Sequence, residues 1–149
     1  MNDIEKAYLA GLVDGEGSIG LYLKNHRTDF SLRLAVYNTD DTLMAWLQIH
    51  IGGLVHKVGR RHNPKHRQEY CWYLSSTSAC ETLKLILPYL VIKRAKAEIA
   101  IDAWEHRQPT PRELRRKPMS QAIVDLRQRY INSFRELPST RFHEISQGA

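Results

Sequence analysis

Two cysteines, Cys71 and Cys80, are too few for a disulfide scaffold, and they are not in C-x-x-C spacing. No second pair exists to complete a thiolate zinc site. A reducing, intracellular setting is therefore expected. No apolar run approaches the roughly 20 residues that span a bilayer, so no membrane partner is expected. The opening Met1-Asn2-Asp3-Ile4-Glu5 lacks the basic n-region of a secretory signal. Acids are the minority charge: 16 Asp and Glu stand against 22 Lys and Arg, a net charge of +6. That balance favours a polyanionic partner, nucleic acid first. What is present is enough for a core. The 149 residues are 42% hydrophobic, which excludes disorder of the whole chain and fits one domain.

The basic charge is clustered. His56 to Arg67 carries five Lys or Arg, three His and no acid, and His106 to Lys117 carries five Lys or Arg against one Glu. Two acid-poor stretches on one small chain point to phosphate contact rather than to two solvated loops.

Hydrophobic periodicity predicts a helix first. Asn2 and Glu5 form a capping box, and the helix runs to about Asp14, where Gly15 and Gly17 stop it. Ser18 to Lys24 and Ser31 to Asn38 alternate apolar and polar, which predicts an antiparallel hairpin with one buried face. Its other face carries Tyr22, Lys24, His26, Ser31, Arg33 and Tyr37, donors and aromatics without acids, which suit base edges and phosphates. Tyr22 and Tyr37 equally read as edge packing.

A helix from about Asp40 to His50 turns Leu43, Trp46 and Leu47 inward and stops at Gly52-Gly53. A second hairpin pairs Leu54 to Arg60 with Glu69 to Ser75. Val55, Trp72 and Leu74 face the core, and Leu54, His56, Val58, Arg60, Cys71 and Tyr73 face out. Ser78 with Glu81 predicts a box for a helix that Pro88 interrupts. A longer helix follows from about Leu90 to His106, then a proline-rich basic loop, then a last helix capped by Ser120. Residues 138–149 read as a flexible tail behind one domain, 1–137. The expected class is α+β: an αββαββα order, with helices on one face of a four-stranded antiparallel sheet and an uncovered basic face opposite.

The first helix carries the chemical signal. Ala7, Gly11 and Gly15 recur every four residues, and small residues at that spacing let a second backbone come close. Asp14 and Glu16 stand at the negative end of the helix dipole, which calls for a compensating cation. Oxygen-only ligands favour Mg2+ or Ca2+ over zinc. One chain has too few carboxylates there for a two-metal site; two chains crossing at this helix would bring two Glu16 together.

Leu9-Ala10-Gly11-Leu12-Val13-Asp14-Gly15-Glu16-Gly17 resembles the motif of LAGLIDADG homing endonucleases and related maturases. Asn38-Thr39-Asp40-Asp41, Gly52-Gly53 and Leu87-Pro88-Tyr89-Leu90 with Lys93 are similar to the family at corresponding places. The resemblance covers roughly Tyr8 to Leu137. The motif occurs once, as in members that act as homodimers on long, nearly palindromic double-stranded DNA. The resemblance implies divalent-metal-dependent cleavage of both strands, leaving short 3′ overhangs and serving intron homing. Mg2+ is the expected ion, with Mn2+ as a substitute and Ca2+ binding without supporting cleavage. It implies Glu16 as the metal ligand, with the Gly15 carbonyl in the same shell. It implies Lys93 as a basic residue of the active site, where position alone reads as an ordinary helix lysine. Asp40 matches a polar position near the metals and equally reads as a plain N-cap. Asp14 matches a structural acid. Ala7, Tyr8, Ala10, Gly11, Asp14 and Gly15 would form the dimer interface.

On the sheet, Tyr22, Lys24, His26, Ser31, Arg33, Tyr37, His56, Arg60 and Tyr73 would face the major groove, with Arg33 paired to guanine. Arg61, Lys65, Arg67, Arg115, Arg116 and Lys117 would hold phosphates. One departure is Met44, where some single-motif members carry a basic residue. Arg94, Arg60 or the second basic loop are the candidate substitutes. An RNA maturase and a non-catalytic DNA-binding protein on the same fold stand as alternatives.

Overall fold

The computed structural model describes residues 1–24, 29–59, 67–107 and 120–137, the side chains at 24 and 29 excepted. The expected tail, 138–149, lies outside the described residues, as do His26, Arg60, Arg61, Lys65, Arg115, Arg116 and Lys117.

Helix α1 spans Asp3–Glu16. The capping box is formed: Glu5 N donates to Asn2 Oδ1 and Asn2 N to Glu5 Oε2, both at 2.9 Å. The helix ends at Glu16, two residues beyond the expected Asp14. A single glycine costs about 1 kcal/mol in a helix and does not end it. The chain turns at Gly17 instead, where a Cβ would stand 2.5 Å from Val13 Cα.

Strands β1 (Gly17–Lys24) and β2 (Asp29–Asn38) pair antiparallel from Gly17 opposite Val36 to Lys24 opposite Asp29. Helix α2 is Asp41–His50. Strands β3 (Leu54–Lys57) and β4 (Tyr70–Ser75) form the second hairpin, with β3 shorter than expected. The sheet order is β1-β2-β4-β3, all antiparallel. Ile19, Leu21, Leu32, Leu34, Val36, Trp72 and Leu74 fill its inner face and are buried with Leu9, Val13, Leu47 and Leu83. This is the α+β arrangement that alternation along the strands predicts.

Gly52 and Gly53 take φ of +86° and +90°, and the Gly52 carbonyl accepts the Trp72 indole N–H at 2.7 Å. A Cβ at Gly53 would stand 2.8 Å from the Tyr73 carbonyl and 2.9 Å from Trp72 Nε1. Gly53→Ala is therefore expected to cost about 2 kcal/mol or more, from left-handed strain plus overpacking, and to lower Tm by several degrees. An unchanged thermal midpoint would show that the turn relaxes freely.

Helix α3 is Ser76–Ile86, so Ser78 and Glu81 lie inside it and the box expected there does not form; Ser75 holds the N-cap position without a side-chain bond. A short 3-10 turn follows at Leu87–Tyr89. Helix α4 is Arg94–Glu105, four residues later than the Leu90 start expected, because the intervening N–H groups are taken by Asp14. Helix α5 is Gln121–Glu136 and is tied to α4 by Tyr130 Oη donating to Asp102 at 2.7 Å. The described helices that touch the sheet pack on its buried inner face: α1 and α3 on β2, α2 on β4, α4 and α5 on β1. No described helix is long and apolar enough to cross a membrane.

Candidate active site and nucleic-acid interface

The hairpin register brings the end of β2 back beside the end of α1. Asn38 Nδ2 there donates to the Glu16 carboxylate. Asn38 Oδ1 in turn accepts the Asp40 N–H at 2.9 Å, and Asp40 Oδ1 accepts the Leu43 N–H at 3.0 Å. Asp40 is thus the N-cap of α2, and through Asn38 it is linked to Glu16. Glu16 itself is exposed. Its partner is a neutral amide, so its charge stays available. The sequence reading missed Asn38; the signal for it was the strand pairing, which runs position 38 alongside the helix terminus.

Asp14 and Lys93 form a reciprocal clasp. Asp14 accepts three backbone N–H groups, from Val91 at 2.8 Å, Ile92 at 3.2 Å and Lys93 at 2.8 Å. Lys93 Nζ donates to the carbonyls of Val13 at 2.7 Å and Asp14 at 2.6 Å. Lys93 thus places one cation at the dipole end of α1, on the carbonyls of Val13 and Asp14. Burial pushes its ammonium below the usual lysine range, and the nearby Asp14 opposes the shift. Asp14→Ala leaves three donors without their acceptor. It is expected to cost about 2–3 kcal/mol and to loosen the entry to α4, read by thermal unfolding and amide exchange at 91–93. Unchanged protection at those amides would remove the clasp from the account.

On the outer side of α1, Ala7, Gly11 and Gly15 are exposed. A Cβ added at Gly11 or Gly15 would meet nothing within 4 Å. Ile4 and Tyr8 flank this stripe at 81% and 49% exposure. Ala10 is corrected: it is fully buried in the chain's own core, one position round the helix from Gly11, and cannot face a partner. A groove of about 710 Å³ separates α1 from α2, lined by Ile4, Tyr8, Leu12, Leu43 and Trp46. Trp46, expected in the core, is half-buried there, edge-on to Tyr8 at 5.1 Å and stacked on His50 at 4.8 Å. Met44 points the other way and is 2% exposed in the core. Among the described residues, no three His, Cys, Asp or Glu gather into a metal cluster.

The sheet face opposite the helices carries Tyr22, Ser31, Arg33, Tyr37, Tyr73 and His56 in its described part, with no described helix over it. It was expected to be basic. Its described part holds three tyrosines with Arg33 and His56; His26 and Arg60, also expected on it, lie outside the described residues. Arg33 lies over the Tyr73 ring at 4.4 Å and its Nη2 reaches Cys71 Sγ at 3.5 Å. His56 meets Tyr73 edge-on at 5.5 Å. Burial and the neighbouring Cys71 thiol push the Tyr37 hydroxyl above the usual tyrosine range. Cys71 faces outward as expected but is fully covered. Tyr22 folds back over Gly20, whose missing Cβ leaves the ring its place. Lys24 ends β1, and Arg67 is exposed just before β4.

No protein-family model and no curated protein matches the sequence. Solved structures do. The homing endonuclease I-CvuI, in complex with its target in the presence of 2 mM Ca, superposes with a TM-score of 0.68 at 20% identity, over 93% of this chain and 85% of that one. The archaeal intron-encoded homing endonuclease I-Vdi141I, complexed with DNA, gives 0.51 at 12% identity over 87% and 98%. The LAGLIDADG homing endonuclease I-GzeII, in complex with its DNA target, gives 0.56 at 14% identity over 89% of this chain and 44% of that one. At these identities the likeness is one of architecture, and on it the chain has the fold of the LAGLIDADG homing endonucleases.

Proposed function

We propose that the chain is a site-specific, double-strand DNA endonuclease that works as a homodimer. The observation that carries this reading is the Glu16 carboxylate. It stands exposed at the end of a helix whose outer face is open to a second backbone, held by Asn38 and adjacent to the Lys93 clasp. The solved structures of this fold that are bound to DNA support the substrate class, as does the net charge of +6.

A carboxylate and a glycine carbonyl at an exposed terminus make an all-oxygen donor set that fits a hard divalent cation. One chain leaves the set incomplete, since no cluster of three ligating side chains is present among the described residues. Glu16 and the Gly15 carbonyl, joined by the second copy's Glu16, would hold Mg2+ or Mn2+, with Ca2+ binding without turnover. Such an ion supplies positive charge to the scissile phosphate and acidifies water.

The protein's own groups have separate tasks. Asn38 orients Glu16, and the N-cap of α2 orients Asn38. Lys93 places a positive charge at the same helix terminus, where it can counter charge developing on phosphorus oxygens. The sheet's outer face reads the major groove. Arg67, exposed at its margin, and the basic residues of the two acid-poor stretches hold phosphates. Two such sites related by a two-fold axis would cut both strands, and the resemblance to the family implies short 3′ overhangs.

The test is a selection of cut ends from a randomised palindromic duplex library with Mg2+, against an EDTA control. Enriched, Mg2+-dependent cut sites support the reading. Retention of structured RNA with no DNA cut would contradict it and favour the maturase alternative.

A further inference from the structure

The pose of Arg33 is imposed by its neighbours. In the β2–β4 register, Arg33 lies opposite Ser75, Ala35 opposite Tyr73 and Tyr37 opposite Cys71. To reach Cys71 at 3.5 Å, the Arg33 side chain runs along the sheet past the level of Ala35. Ala35 faces outward yet is 2% exposed, and Cys71 is 0% exposed. The guanidinium is stacked on Tyr73 at 4.4 Å. Its Nε is buried with no hydrogen-bond partner. A guanidinium free to choose would turn that N–H to water, because an unmade buried hydrogen bond is costly. The ring and the thiol hold it otherwise.

We propose that Cys71 and Tyr73 are positioning residues that present the Nη edge of Arg33 to a guanine in the major groove, and so set one base pair of each half-site. The inference rests on the DNA-reading role given under Proposed function. Its chemistry is simple. With Nε turned inward, Nη1 and the remaining Nη2 hydrogen form the donor pair left to meet O6 and N7. Stacking on Tyr73 holds the plane of the fork, and Cys71 fixes its rotation. A fork already ordered loses less freedom when it binds. A phosphate-holding arginine needs neither constraint.

Two measurements test this. The first uses no DNA. Native protein is alkylated with iodoacetamide and the cysteine peptides are followed by mass spectrometry, with buried Cys80 as the internal reference. Cys71 is expected to react at least about tenfold faster in Arg33→Ala than in wild type, with Cys80 unchanged. Equal rates at Cys71 would show that Arg33 does not cover the thiol and would overturn the proposal. The second compares base preference of wild type and variants on randomised duplexes. Arg33→Ala and Cys71→Ala are each expected to lose about tenfold preference at the same base pair, and the double variant no more than either. Cys71→Ser and Tyr73→Phe, which keep the acceptor and the ring, are expected to retain it. An unaltered profile in Cys71→Ala beside a relaxed one in Arg33→Ala would overturn the positioning role. Uniform weakening in Arg33→Ala would make Arg33 a phosphate contact and overturn it as well. A wild type that selects no duplex would instead sink the DNA-reading role itself, whatever the alkylation rates.

Discussion

Glu16→Gln is expected to lower DNA cleavage by about a thousandfold or more while leaving specific duplex binding within a few-fold of wild type. The substitution keeps the shape of the side chain. The glutamine carbonyl can still accept the Asn38 amide hydrogen that Glu16 accepts. It removes the negative charge that would hold a divalent cation. Glu16 is exposed at the last position of α1, so the core is untouched. The residues expected to read bases lie on a different surface, the outer face of the sheet. Cleavage kinetics beside a gel-shift titration separate the two effects. Loss of binding in step with cleavage would show that Glu16 organises the DNA surface, and would break the division of labour.

The second large effect is expected from Gly11→Leu. The chain's own fold has room for it, since a Cβ there meets nothing within 4 Å. A two-fold axis through this face would place both leucines in one contact, so the steric penalty is paid twice. Dimer affinity is expected to fall about a hundredfold, with an unchanged far-ultraviolet spectrum and near-wild-type Tm for the monomer. Double-strand cleavage should fall with it, because each active site proposed for the dimer draws carboxylates from both copies. Sedimentation at stepped concentrations reads this directly. A dimer of unchanged affinity would move the interface elsewhere, the α1–α2 groove being the next surface to examine.

Features set by local chemistry were legible in the sequence. Asn2 and Glu5 are three residues apart, and their box forms as read. Gly52 and Gly53 end α2 with positive φ. Alternation along β1 and β2 assigned Leu32, Leu34 and Val36 to the core. Features decided by distant partners were not legible. The start of α4 depends on Asp14, 77 residues before Val91. Cys71 meets the Arg33 guanidinium, 38 residues away. Ala10 and Gly11 are neighbours in sequence, and only the position of the sheet decides that one is buried and the other open. Met44 is an apolar residue near Leu47 on α2, and the core claims both. At the site, Glu16 was readable from its motif. Asn38 was not, because its role exists only once the hairpin closes.

In the proposed dimer, one cleavage event uses the Glu16 of two chains. Wild-type and Glu16→Gln chains co-expressed at stepped ratios separate shared from single-chain sites, with scission of each strand, nicks included, measured on a selected site. Total strand scission is expected to fall as the square of the wild-type fraction, since a mixed dimer lacks a carboxylate in each shared site and cuts neither strand. A linear fall would place a complete active site within a single chain and contradict the shared site.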